Sequence, residues 1–167
     1  LIVALTALVA LSFLLLSPKK QTSTAAAAKR SIAVLPFEDL SSAKNSEYLC
    51  DGISETLINA LIKIEGLWVP ARTSAFFFKG KTEDIREIGR ALGVEEVLEG
   101  SVQVDGDHLR VTARISHVQD GRQVWSEIYN RTMDDVFAIQ DDIAKAIVGA
   151  LKIQLLGDKS IPLLKNY

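Results

Sequence analysis

The chain has 167 residues, with 19 basic and 21 acidic side chains and a formal net charge of -2, so it offers no general electrostatic attraction to nucleic acid or anionic lipid. A single cysteine, Cys50, excludes an intramolecular disulfide, and two histidines without companion thiols do not form a zinc pattern. The length suits one ordinary domain plus an appendage, held together by core burial rather than by covalent or metal staples.

Leu1 to Leu16 is apolar except for Thr6 and Ser12 and carries no charge, which is membrane composition. As a helix the run would reach about 24 Å, short of a hydrocarbon core of roughly 30 Å. A partial transmembrane helix over 1–16 is therefore expected, and because the chain opens on Leu1 rather than methionine, the span is expected to continue upstream. The rival reading is a cleaved signal peptide, since Ala26 to Ala28 supplies a small-x-small pattern. Twelve residues, among them Pro18, Lys19 and Lys20, separate the apolar run from that site, more than cleavage needs. Lys19 and Lys20 taken alone would favour a cytoplasmic side for the domain that comes after them.

Residues 17–30 (SPKKQTSTAAAAKR) are small and polar without apolar periodicity, as a linker should be. Ile32-Ala33-Val34-Leu35 is continuously apolar up to Pro36 and reads as a central strand covered on both faces. Leu49, Ile53, Leu57, Leu61 and Ile64 then recur at helical spacing across Ser46 to Ile64, with Gly66 as the stop. Leu67-Trp68-Val69, ended by Pro70, is a second strand. Thr82, Glu83 and Asp84 have the composition of a helix start, and Ile85, Ile88 and Leu92 give that helix its stripe before Gly93. Val94 to Val104 is a third strand. Asp105-Gly106 and Asp120-Gly121 are turn dipeptides, and between them Leu109, Val111, Ala113 and Ile115 alternate with polar residues as a fourth strand. A fifth strand from about Gln123 to Tyr129 precedes a helix marked by Val136, Ile139, Ile143, Ile147 and Ala150. Right-handed crossovers then predict an α/β domain over 31–156: a mixed five-stranded sheet ordered 2-1-3-4-5, with only strand 4 antiparallel, and flanking helices. Residues 157–167 read as a tail leading into further structure.

A search for chemistry returns little. Gly80-Lys81-Thr82 before a helix suggests the end of a phosphate loop, but Ala75 stands where a glycine is required and Phe76-Phe77-Phe78 would fill the cradle. His108 and His117 lie nine residues apart on one strand, too far apart to share a metal. Asp134-Asp135 and Asp141-Asp142 suit helix capping and a solvated helix face, and Cys50 has no basic neighbour in sequence to activate it. No catalytic residue, metal site or cofactor is expected. Ligands of open α/β sheets favour the carboxyl ends of strands where the order reverses, here between strands one and three. Phe37, Glu38 and Asp39, with Arg72, Ser74 and Glu99 nearby, are therefore candidate ligand or partner contacts, Arg72 being equally able to pair with Glu38, Asp39 or Glu99. Arg110 and Arg114, on the polar row of the fourth strand, are candidates for a partner surface.

Several segments in sequence order carry a family resemblance. Ser31-Ile32-Ala33-Val34-Leu35-Pro36-Phe37 with Leu40-Ser41, Asp51-Gly52-Ile53-Ser54-Glu55, Ala71-Arg72-Thr73-Ser74-Ala75-Phe76, Leu98-Glu99-Gly100-Ser101-Val102, Trp125-Ser126-Glu127 and Asp135 to Asp141 resemble the TolB amino-terminal-like (FlgO-like) domain. The likeness covers roughly Ser31 to Leu155. Ala43-Lys44-Asn45 stands where an acidic stretch is usual, and Asn130 where an aspartate is. The resemblance implies a mixed five-stranded sheet and a domain that comes after a membrane span, with a winged-helix or nucleotide cyclase domain upstream and tetratricopeptide repeats downstream. It further implies a periplasmic position on a single-pass inner-membrane protein, against the pull of Lys19 and Lys20. The expected role is non-catalytic: contact with a protein partner, with residues 1–16 in the bilayer and no nucleic acid bound by this part of the chain. The alternatives are a small-ligand receptor domain, or the regulatory part of a larger nucleotide cyclase or transcriptional regulator.

Overall fold

The computed structural model of the chain describes residues 30–156. The expected transmembrane run, most of the linker and the tail lie outside the described residues, among which no helix is long and apolar enough to cross a membrane. In chain order the elements are β1 (Arg30–Val34), β2 (Glu38–Asp39), α1 (Glu47–Leu61), β3 (Leu67–Trp68), α2 (Arg72–Phe76), α3 (Ile85–Leu92), β4 (Glu96–Asp105), β5 (His108–His117), β6 (Gln123–Thr132) and α4 (Val136–Leu156).

The main path of the sheet runs β3-β1-β4-β5-β6, which is the expected order, and β5 is antiparallel to both neighbours while β3, β1 and β4 run parallel. The sheet nevertheless has six strands rather than five, because β2 also pairs with β4. Val34 stands opposite Leu98 and Glu38 opposite Ser101, so one residue more is used on the β1–β2 side than on β4. Pro36 has no N–H to offer a ladder, and the chain bulges there before resuming the pairing. A two-residue strand carries no alternation, which is why periodicity does not announce it. The same holds for α2, a five-residue helix between β3 and α3.

Strand alternation sends Ile32, Val34, Leu98, Val102, Val111 and Ile115 to one face, where α1 and α4 cover them in the main core. Ala33, Leu35, Val97 and Val118 form a smaller core with Ile88 and Leu92 of α3 on the other. Asp84 caps α3 by accepting the Arg86 N–H at 2.8 Å, and Gly93 ends it in the left-handed conformation at φ 68°. The short α3 shields β1 and the start of β4. Beyond it the polar side chains of β4 and β5 face outward, and this half-covered face holds the site.

Phe37 is 3% exposed and sits in the main core. A Cβ at Gly100 would strike its ring and come within 2.5 Å of the Thr112 carbonyl oxygen. Gly149, exposed in α4, has open space around it. Gly100→Ala is therefore expected to destabilise the fold by roughly 1–3 kcal/mol through overpacking, whereas Gly149→Ala should stabilise it by up to about 1 kcal/mol through helix propensity. Urea unfolding of the two variants checks both signs, and a neutral Gly100→Ala would show that the ring is not seated there.

Candidate functional site

The bulge after β1 sorts its residues by face. The Leu35 N–H still bonds the Leu98 carbonyl at 2.9 Å, and pairing resumes with the Leu40 N–H to the Val102 carbonyl at 2.7 Å. Between them the Phe37 N–H, turned away from β4, donates to Ser54 Oγ on α1 at 2.9 Å. Ser54 donates in turn to the Cys50 carbonyl at 2.8 Å. Asp39 accepts from the backbone N–H groups of Ser41 at 2.8 Å and Ser46 at 2.7 Å, and Ser41 Oγ accepts from the Val104 N–H at 2.9 Å. This small polar network fixes the loop between β2 and α1, so the direction in which Glu38 leaves the bulge is held from both sides.

Beside the bulge lies a cleft of about 370 Å³. One wall is Leu35, Pro36, Glu38 and Leu40, and the floor is Glu99, Gly100 and Ser101 of β4 with Arg114 of β5. The segment from Phe78 to Glu83, with Ile85 and Ile88 of α3, makes the other wall. That segment is tied down by Lys79, whose ammonium meets Asp51 at 2.7 Å and Glu47 at 2.6 Å on α1. The Lys81 ammonium rests 3.2 Å from the centre of the Phe77 ring.

At the floor, Glu99 and Arg114 are cross-strand partners in the β4–β5 ladder. The ion pairs among the described residues are formed elsewhere, and none uses Glu99 or Arg114. Burial raises the Glu99 carboxyl above its usual value, Arg114 works against that rise and Glu38 adds to it. The cleft thus holds a half-buried carboxylate and a half-buried guanidinium side by side over apolar walls. This is chemistry for recognition by charge and hydrogen bonding.

Of the residues expected from sequence, the structure brings Glu38, Glu99 and Arg114 together in the cleft. Phe37 is a core residue and Asp39 a loop cap. Arg72 pairs with neither Glu38, Asp39 nor Glu99: its Nε lies 3.3 Å from Glu55 and its guanidinium 3.8 Å from the centre of the Phe76 ring. Ser74 is exposed on α2, and neither residue lines the cleft. Arg110 opens onto a second hollow of about 350 Å³, where its Nε donates to Asn130 Oδ1 at 3.1 Å.

Sequence reasoning missed the wall from Phe78 to Glu83, because it weighed Gly80-Lys81-Thr82 as a phosphate loop or a helix start and not as the side of a cleft. The signal available was two lysines around a glycine just ahead of a helix start. Asp135 caps α4 through the Phe137 N–H at 2.9 Å, and Asp142 pairs with Arg131. The Cys50 thiol is buried, and burial pushes it up to about 12. His117 Nδ1 meets Glu96 at 3.3 Å while His108 stands at the far end of β5. Among the described residues no group of His, Cys, Asp and Glu could hold a metal ion.

No family model matches the chain. It is 46% identical over 128 residues to the protein named "Putative adenylate cyclase 3" of Rhizobium meliloti, a match covering 77% of this chain and 22% of that protein. The chain therefore spans only about a fifth of the length of this curated relative. Among solved structures, a lipoprotein of Neisseria meningitidis superposes with a TM-score of 0.53 at 18% identity, covering 75% of this chain and 98% of that one. The LpoB C-terminal domain of Salmonella enterica gives 0.50 at 16% identity, covering 62% and 83%. A hypothetical protein of Chlamydia trachomatis gives 0.50 at 16% identity, covering 74% and 96%. These likenesses show a shared fold, a mixed α/β domain.

Asp39 lends the bulge a pH signature. Burial opposes ionisation, but the hydrogen bonds from Ser41 and Ser46 and the nearby Lys44 outweigh it and hold the carboxyl below its usual value. A depressed carboxyl stabilises the fold fully above its unfolded value of about 4 and loses that contribution as pH falls through the folded value. Asp39→Asn should cost about 1 kcal/mol at pH 7 and should flatten the loss of stability on acidification. Urea midpoints of both proteins at neutral and acid pH measure this, and parallel pH profiles would contradict it.

Proposed function

We propose that residues 31–156 form a non-catalytic, extracytoplasmic interaction or sensory domain of a membrane-anchored bacterial signalling protein. Residues 1–16 are its single inner-membrane anchor, residues 17–30 its linker, and residues 157–167 lead to a downstream region. The observation that carries this reading is the extent of the Rhizobium match: a length equal to a whole folding unit recurs within 22% of a protein named for cyclase activity. In such a protein this unit is an accessory to a larger remainder. The Neisseria neighbour is named a lipoprotein, which agrees with an envelope location. The resemblance to TolB amino-terminal-like domains supports the same architecture, with an output domain such as a nucleotide cyclase upstream and tetratricopeptide repeats downstream.

The mechanism rests on the geometry. The sheet is covered on one face by α1 and α4 and only partly on the other by α3. On the open side stand Glu99, Arg110, Arg114 and the exposed Ile128, a surface of mixed charge around an apolar residue, which is interface composition. A protein partner that docks there changes the load on the linker and, through the anchor, the output domain.

Two measurements test the proposal. Alkaline phosphatase fused after Tyr167 should be active in intact bacteria and a β-galactosidase fusion at the same point inactive, and the reverse pattern would place the domain in the cytoplasm. The purified chain supplied with ATP and a divalent cation should release no cyclic nucleotide, and turnover by this chain would overturn the non-catalytic assignment.

A further inference from the structure

The cleft beside β1 has a composition that a flat protein contact does not call for. Its charged lining is balanced, with Glu38, Glu83 and Glu99 against Lys79, Lys81 and Arg114. A bare anion such as phosphate would face three carboxylates, and a bare cation three basic groups. Nor are the six equivalent. Lys79 is engaged by Glu47 and Asp51, and Lys81 by the Phe77 ring. Glu38 and Glu83 are exposed at the rim, whereas Glu99 and Arg114 are half-buried at the floor and make none of the ion pairs found among the described residues.

Cross-strand partners project side chains about 5 Å apart. A carboxylate and a guanidinium so placed complement a molecule whose ammonium and carboxylate are held one carbon apart. The walls beyond them are apolar: Leu35, Ile85 and Ile88 line the cleft, and Leu40, 50% exposed, stands at its mouth. At about 370 Å³ the space lies at the small end of ligand pockets. We propose that this cleft binds a free α-amino acid with an apolar side chain, its carboxylate on Arg114, its ammonium on Glu99 and its side chain between Leu40 and the α3 wall. Ser101, at the floor between β2 and the ladder, supplies a hydroxyl to the same carboxylate. The assignment shares Glu99 and Arg114 with the proposed protein-contact surface, but it is read out by free amino acids and their analogues without any partner, so either can fail alone.

The test is calorimetric titration of the full chain in detergent with L-leucine, L-valine and L-phenylalanine. Alongside run N-acetyl-L-leucine, which lacks the ammonium, L-leucinamide, which lacks the carboxylate, and inorganic phosphate. At least one amino acid should bind with a Kd below about 1 mM, and its N-acetyl and amide forms should each bind at least about tenfold more weakly. Arg114→Gln should lose the preference for leucine over leucinamide and Glu99→Gln the preference for leucine over N-acetyl-leucine, while Arg122→Gln, outside the cleft, keeps both. No binding of any amino acid up to about 10 mM, equal affinity for the analogues, or tighter binding of phosphate would each overturn the proposal. Should either floor variant fail to fold, the analogue series on the unaltered chain still decides.

Discussion

The domain depends on one packing constraint: the ring of Phe37 laid across the bare backbone of Gly100. Pro36 breaks the β1 ladder, and an extra residue has to go somewhere before pairing with β4 can resume at Ser101. It goes inward. Phe37 drops into the main core, where only the absence of a Cβ at Gly100 lets its ring lie against the strand. Its N–H, removed from the sheet, is satisfied by Ser54 rather than left unpaired in the interior.

That inward turn has an outward counterpart. With Phe37 pointing to α1, the next side chain, Glu38, must leave on the opposite face, where α3 is too short to cover the sheet. One face therefore becomes a conventional two-helix core and the other a shallow polar cleft bordered by the second, smaller core. The charges on the floor are tolerable because the cleft is open. Glu99 remains accessible enough to stay solvated in part, yet enclosed enough that burial weakens its acidity. A third helix over β4 and β5 would have required apolar residues at Arg110, Thr112 and Arg114, and the sequence places polar ones there.

The path of the sheet was legible because Ile32 to Leu35 is apolar without interruption and β5 alternates strictly, and these two patterns set which strand is central and which is exposed on one side. The helix limits at Asp84 and Gly93 were legible from capping chemistry. What escaped was everything shorter than a repeat. β2 has two residues and α2 five, so neither completes a pattern that periodicity can detect. In the cleft, Glu38 and Glu99 were singled out because topology points to the carboxyl end of a central strand, and Arg114 because it stands on the polar row of the fourth strand. Phe37 and Asp39 were grouped with them only by proximity in sequence, and side-chain direction at a bulge separates what proximity joins. Arg72 was open to any of three nearby acids, but α2 turns it toward Glu55 and the Phe76 face instead.

The far wall of the cleft gives the site a physical route to the rest of the domain. The segment carrying Lys81 and Glu83 is held by Lys79, and Lys79 is held by Glu47 and Asp51 in the first turns of α1. One residue further along α1, Gly52 lies against the Gln140 side chain of α4, so closely that no Cβ could be added there without displacing it. α4 then runs to Leu156, the last of the described residues. A cleft occupant that shifts the wall thus pulls on charged contacts at one end of a helix pair whose other contacts are tightly packed, and packed helices move as units rather than bending. Surface ion pairs of this kind contribute little to stability, so the tie from Lys79 to α1 costs the fold little if it is exchanged or lost.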